Sequence, residues 1–287
     1  MNMAPGTTNH LNHTLPINQS LATPASAVVA TSSPSHTTNA RCLDITLVKQ
    51  RHEWDCGLAC IEMIQKWHLN NKQQQQQHNA TSLNPTTETI TSSSDCASIA
   101  RNIITTQSVW SIDLSDALAT MGINHHFFTV SIGIDNSHRL KPFYQRDWSA
   151  DEQRVSRLFD KSRAHDPPML FFGVVPLEKL IAHVKQGLPA IVLVDSNSLV
   201  YIVNNNNDGN SSNTSSGSSN SSSSSGHKRE DKDFYGHFVV LAGYDDSRQQ
   251  FIVIDPSLSQ EYCMISVNDF EYARSRPGTD MDILLIH

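Results

Sequence analysis

An α+β fold with a mainly antiparallel sheet is what this sequence predicts, and three observations carry it. Helical periodicity prevails in the earlier periodic segments. Short β-branched runs bounded by Gly, Pro and Asp prevail in the later ones. Two of those runs, "GHFVVLAGYD" and "QFIVIDP", meet through "DDSRQ" in the manner of a hairpin. Helices first and strands later is the order of segregated elements, not of alternating βα units.

Each element has its own warrant. In "CGLACIEMIQKWH" the apolar positions Cys56, Cys60, Met63, Ile64 and Trp67 recur at helical spacing, which predicts a helix with one buried face beginning at Cys56. "SIDLSDALATMG" places Leu114, Leu118 and Met121 on one face with Gly122 as a stop, and "HHFFTV" then reads as a strand. "SADEQRVSRLF" opens with Ser149 three residues before Glu152, the spacing of a capping box, and continues with Val155, Leu158 and Phe159. "PLEKLIAHVKQG" has Pro176 at its start, Leu177, Leu180, Ile181 and Val184 on one side, and Gly187 at its end. The strands that follow are "LPAIVLVD", the two hairpin runs and "DILLIH".

The 287 residues, 38% of them hydrophobic, suffice for one sizeable core. Residues 1–40 carry hardly any large apolar side chain and cannot offset the entropy of ordering, so they read as a disordered Ser/Thr/Pro/Asn-rich tail. One domain then spans 41–287, with low-complexity insertions at 70–94 and 204–233 that read as expanded loops. A formal charge of -7 with thinly spread Lys and Arg argues against nucleic acid as a partner. The cluster His227, Lys228 and Arg229 runs straight into "EDKD" and reads as a solvated loop edge. No apolar stretch reaches bilayer-spanning length and the N-terminus lacks the build of a signal peptide, so neither membrane nor secretion is expected, and the location reads as cytoplasmic or nuclear. Five cysteines without framework spacing suit a reducing compartment, where thiols remain available for chemistry.

That chemistry has a candidate address. A thiol becomes nucleophilic when a helix N-terminus and a basic partner favour its anion, and Cys56 opens a helix. His237, preceded by Gly236 and opening the strand "FVVLAGY", is the strongest base; His125 and His126 before "FFTV" are the rivals. Asp255 ends the hairpin partner of the His237 strand and can orient the ring. Gln50, six positions before Cys56, can approach the helix start from the preceding loop and donate an amide hydrogen to a developing oxyanion. Cys60, one turn further on, reads as core, and Cys56 with Cys60 lack the second close pair that would complete a metal site. Asp55 stands where it can cap the helix.

"QRHEWDCGLAC" with "GHFVVLAGYD" and "IDPS" resembles the papain-like cysteine peptidase fold, in particular the bacteriocin-processing peptidase domains of export transporters, which use Gln, Cys, His and Asp in this order. Over a longer span, "WSIDLSDAL", "FFTVSIGID", "DEQRVSRLF", "GLPAIVLVD" and "GHFVVLAGYD" resemble the guanylyl cyclase domain-containing family, also described as plant-type soluble guanylyl cyclases. The Asn/Ser tract after "YIVNN" stands in place of a short loop in that pattern. The resemblance implies a nucleophile at Cys56, an oxyanion-hole amide at Gln50, and a base and its orienter at His237 and Asp255. The expected function is thiol hydrolysis or acyl transfer at an amide, thioester or isopeptide-type bond of a peptide, protein or small-molecule substrate, with no cofactor. Two alternatives stay open. The family name implies a guanylyl cyclase using GTP and Mg²⁺, although no P-loop or paired-Asp metal motif is present in the sequence. An inactive interaction module is the other.

Overall fold

The computed structural model describes residues 41–79, 101–133, 148–167, 169–202 and 234–287. The tail at 1–40, residues 80–94 of the first insertion and the whole of 204–233, with its basic triplet, lie outside the described residues. The chain divides into two units, Met1–Thr37 and Thr38–His287, and every described residue belongs to the second.

Along the chain the elements are β1 (Arg41–Cys42), α1 (Cys56–Asn79), α2 (Ser111–Thr120), β2 (His125–Thr129), α3 (Trp148–Arg163), β3 (Leu170–Phe172), α4 (Leu177–Lys185), β4 (Ala190–Asp195), β5 (Gly236–Asp245), β6 (Gln250–Ile254), β7 (Cys263–Ser266), α5 (Val267–Arg274) and β8 (Ile283–Ile286). The sheet runs β3-β2-β8-β4-β5-β6-β7, with β1 paired to the far end of β5. Every described pairing is antiparallel except β2 with β3, whose connection contains α3, as a parallel pair requires. The fold is therefore α+β with a mainly antiparallel sheet, the class the sequence predicts.

The sheet is covered on both faces, which explains why β4 and β5 read as unbroken apolar runs instead of alternating ones. Phe238, Val240 and Ala242 of β5 face one core with Cys60, Ile61 and Ile64 of α1, Leu114 and Leu118 of α2, and Val155 and Phe159 of α3. Val239 and Leu241 face a second core with Leu180 and Val184 of α4 and Phe270 and Ala273 of α5. Asp245 closes the β5–β6 hairpin by accepting from the Ser247 amide (2.9 Å) and hydroxyl (2.6 Å) and the Arg248 amide (3.2 Å).

Three local expectations differ from what is observed. The first turns of α1 are buried on every side, including Glu62 and Gln65, because the helix lies between the sheet and α2. Gly57 permits that approach: a Cβ there would stand 3.0 Å from Leu114 Cδ2 and 3.1 Å from Phe238 Cδ2. The same helix continues to Asn79, through the first ten residues of the 70–94 tract, since Lys and Gln are good helix formers that propagate an existing helix at little cost. Helix α3 begins at Trp148, so Ser149 lies within the helix and not at its cap. The N-terminus that does show a capping carboxylate is that of α2, where Asp113 accepts from the Trp110 amide at 2.8 Å.

Burial sets the acid tolerance of the sheet's far side. His183 donates Nε2–H to the Pro189 carbonyl (3.1 Å), and burial pushes its pKa down to about 4. His125 is buried between Ser115 Oγ (2.7 Å) and the Ile123 carbonyl (3.0 Å), and burial lowers it too. Both rings stay neutral in the fold while the unfolded chain takes up protons below its ordinary histidine pKa of about 6.5. The unfolded state then binds more protons, so the stability these two groups provide is complete above about pH 6.5 and falls with pH until the folded rings themselves titrate, near 4 for His183. Urea unfolding at pH 7 and pH 5 should show a lower midpoint at pH 5, with a limiting slope of about 1.4 kcal/mol per pH unit for each histidine.

Candidate active site

The N-terminus of α1 places Cys56 at the positive end of the helix dipole, with the thiol almost buried at 5% exposure. The loop before it is shaped by Asp55, which is fully buried. Its Oδ1 accepts from the amides of Arg51 and His52, both at 2.9 Å, and its Oδ2 from Arg101 at 2.8 Å. Asp55 begins the helix through its carbonyl, which accepts from the Ala59 amide at 3.0 Å. Its side chain turns upstream, so the expected side-chain cap is replaced by a clamp on the loop that carries Gln50.

Gln50 is anchored from the other direction. Its amide donates to the Pro256 carbonyl at 2.9 Å, which ties it to the residue after Asp255. The side-chain Nε2 donates to the His52 carbonyl at 3.1 Å, occupying one of its two hydrogens, and Oε1 is buried without a partner.

His237 sits near the start of β5, opposite Val194 of β4. The residue before it must be small, since a Cβ at Gly236 would lie 3.1 Å from Phe234 Cζ. The β5–β6 hairpin brings Asp255 to the ring, and Nε2 meets Asp255 Oδ1 at 2.8 Å. Cys56 is the ring's other partner, and by hydrogen bonding and charge it acts with Asp255 on the imidazole. Burial works to lower the imidazole pKa, but the hydrogen bonds and charges of Asp255 and Cys56 outweigh it and hold the pKa up at about 10. Asp255 is the converse: burial raises its pKa, while His237 and Ser257 hold it down at about 2. At neutral pH the pair is an imidazolium beside a carboxylate.

Of the four residues singled out from the sequence, Cys56, His237 and Asp255 meet side chain to side chain, and Gln50 joins them through the backbone of Pro256. Cys60 is core, as expected: its thiol donates to the Phe238 carbonyl at 3.4 Å, and burial first, then Cys56 and Asp255, push its pKa well above the ordinary range. The rival histidines lie on β2, separated from β5 by β8 and β4.

Three contributors escaped the sequence reading. The hydroxyl of Tyr201 donates to Asp255 Oδ2 at 2.8 Å. Ser257 gives Asp255 Oδ1 its amide at 2.8 Å and its hydroxyl at 2.6 Å, an Asx-turn that the spacing Asp-Pro-Ser could have disclosed. Tyr235 is 43% exposed, and burial, Glu53 and Cys56 all raise its pKa. Among the described residues no three His, Cys, Asp or Glu side chains are grouped to hold a metal ion, and no helix is long and apolar enough to cross a membrane.

Comparison with known proteins adds kinship. The family described as guanylylate cyclase matches residues 45–286. Guanylyl cyclase 1 of Arabidopsis thaliana is 28% identical over 251 residues, covering 85% of this chain and 76% of that one. A solved C39-like peptidase from Bacillus anthracis is 19% identical over 39% of this chain and 46% of its own, with a TM-score of 0.24, an overlap too loose to bear on the fold.

Proposed function

We propose that this chain, which belongs to the guanylylate cyclase family, is a cysteine-dependent hydrolase or acyl transferase. The observation that carries the reading is His237, hydrogen bonded to Cys56 and, at 2.8 Å, to Asp255. In the reaction, the Cys56 sulfur attacks the carbonyl carbon of an amide, thioester or isopeptide-type bond, forming a C–S bond while the carbonyl π electrons pass to oxygen. The Cys56 backbone N–H and the second Nε2 hydrogen of Gln50 are the donors for that charge. Collapse breaks the bond to the leaving group, which takes its proton from the His237 imidazolium. Water then attacks the acyl-enzyme as neutral His237 accepts its proton, and the C–S bond breaks to release the Cys56 thiolate beside the re-formed imidazolium and the acid product. Asp255 keeps the ring oriented throughout.

A guanylyl cyclase converting GTP to cyclic GMP is the second reading, favoured by the family description and by the relative's printed name. Mg²⁺ requires free carboxylate oxygens. Asp255 already accepts four hydrogen bonds, and a thiol and an imidazole are poor ligands for so hard a cation, so the residues of this cleft do not fit it.

The deciding experiment is alkylation by iodoacetamide at neutral pH with peptide mapping, run beside a GTP-turnover assay. Cys56 should react before Cys42, although Cys42 is exposed and Cys56 is not, and the preference should vanish in His237→Ala. Mg²⁺-dependent GTP turnover that survives Cys56→Ala, without selective alkylation, would overturn the proposal in favour of the cyclase.

A further inference from the structure

Asp255 is held more fully than a ring-orienting carboxylate requires. Oδ1 takes the His237 ring and both donors of Ser257, yet those bonds alone leave the carboxylate free to pivot about Oδ1. The hydroxyl on Oδ2, at 2.8 Å, removes that freedom. Its donor, Tyr201, is itself fixed by an antiparallel bridge to Ile265 of β7 and by the bond from the Ile202 amide to the Met264 carbonyl at 2.8 Å. The segment leaving β4 thus acts as a short extra strand whose one tyrosine reaches through the second core to the back of the site.

We propose that Tyr201 is a positioning residue of the active site: by holding Asp255 Oδ2 it sets the orientation and the charge of the carboxylate that orients His237. The inference rests on the thiol-chemistry reading above. The titratable groups around Asp255 are His237 of β5, Cys60 of α1, Cys263 of β7 and Tyr201, with Cys56 beyond the ring; His237 is the one cation among them. A neutral donor on Oδ2 therefore stabilises the ionised carboxylate without competing for it as a second charge would. In Tyr201→Phe, Oδ2 is left buried and unpartnered, which makes the ionised form harder to maintain.

The test is the pH profile of Cys56 alkylation by iodoacetamide in wild type and Tyr201→Phe, with the downfield imidazole N–H resonance of His237 recorded in both. Phenylalanine keeps the ring that packs in the second core, so the fold is retained. The acid limb of the profile should move up by about one pH unit, the size of one hydrogen bond to a charged group. At a fixed pH on that limb the rate should fall about tenfold, while the neutral plateau stays, and the His237 resonance should shift. A tyrosine with a merely structural role would lower the urea midpoint and leave the acid limb in place. An unmoved acid limb with an unmoved His237 resonance overturns the inference. If wild-type Cys56 shows no selective alkylation, the thiol-chemistry reading fails instead, and the His237 resonance alone decides whether Tyr201 controls the carboxylate.

Discussion

Cys56→Ser should eliminate the proposed acyl-enzyme formation from an activated ester such as p-nitrophenyl acetate, lowering the burst by about a thousandfold or more while leaving the urea midpoint nearly unchanged. Serine keeps the shape of the side chain and the helix start, so the first core loses very little. What it loses is the nucleophile. Cys56 itself is part of what raises the His237 pKa, so the substitution removes that support from the imidazolium, and a hydroxyl must still shed its proton before attack. Sulfur is the better nucleophile of the two because a thiol ionises far more readily than an alcohol. The check is mass spectrometry of the trapped acyl-enzyme, with the adduct mapped to Cys56. An equal burst in wild type and Cys56→Ser would place the acyl group elsewhere and defeat the mechanism.

Asp255→Ala is the second large effect, and it should appear in stability as well as in rate. The side chain accepts from His237, Tyr201 and both donors of Ser257, so its removal leaves several buried polar groups without a partner. Removing one member of a buried charged pair costs on the order of 3–5 kcal/mol, readable as a lower urea midpoint. The effect on the ring is more specific. Burial is the largest influence on His237 and acts to lower its pKa; without the carboxylate only Cys56 opposes it. The imidazole pKa should therefore fall steeply from about 10, to be followed by NMR titration of the ring, and acyl transfer should fall by roughly 10²- to 10⁴-fold as the ring loses both charge and orientation. A His237 titration that survives the substitution unchanged would remove Asp255 from the mechanism.

How much of this could be read from the residues alone depended on whether the cause of each feature was local. The helices α2 and α4 carry their own apolar stripes and stops, and β4, β5 and β6 carry β-branched runs with turn residues at their ends, so their ranges follow from periodicity. The grouping of Cys56, His237 and Asp255 was legible because each lies at a position with its own local signature: a helix start, a strand start after glycine, and an Asp-Pro at a strand end. Gln50 was legible only through its spacing to Cys56, and its actual anchor, the Pro256 carbonyl, is a contact across two hundred residues. The strands β3 and β7 were not found because "LFF" and "CMIS" hold no β-branched run like that of β8, and they exist by pairing with β2 and β6. Burial on every side of the first turns of α1 was hidden for a related reason: one helix's periodicity cannot reveal that a sheet and a second helix will pack against it. Tyr201 had no signal at all. Its role follows from a bridge to Ile265, and nothing in "SNSLVYIV" announces that bridge.

The placement of β8 between β2 and β4 has a bearing on biosynthesis. A nascent polypeptide leaves the ribosome from its N-terminal end, yet here a segment near residue 283 must insert into the middle of the sheet before β4, the neighbour that supports the histidine strand, is paired on both sides. Products of stalled or prematurely terminated translation would therefore expose two unpaired strand borders at once, the condition that invites aggregation and quality-control proteolysis. Pairing of the histidine strand's neighbour on both sides thus waits until translation has passed that segment.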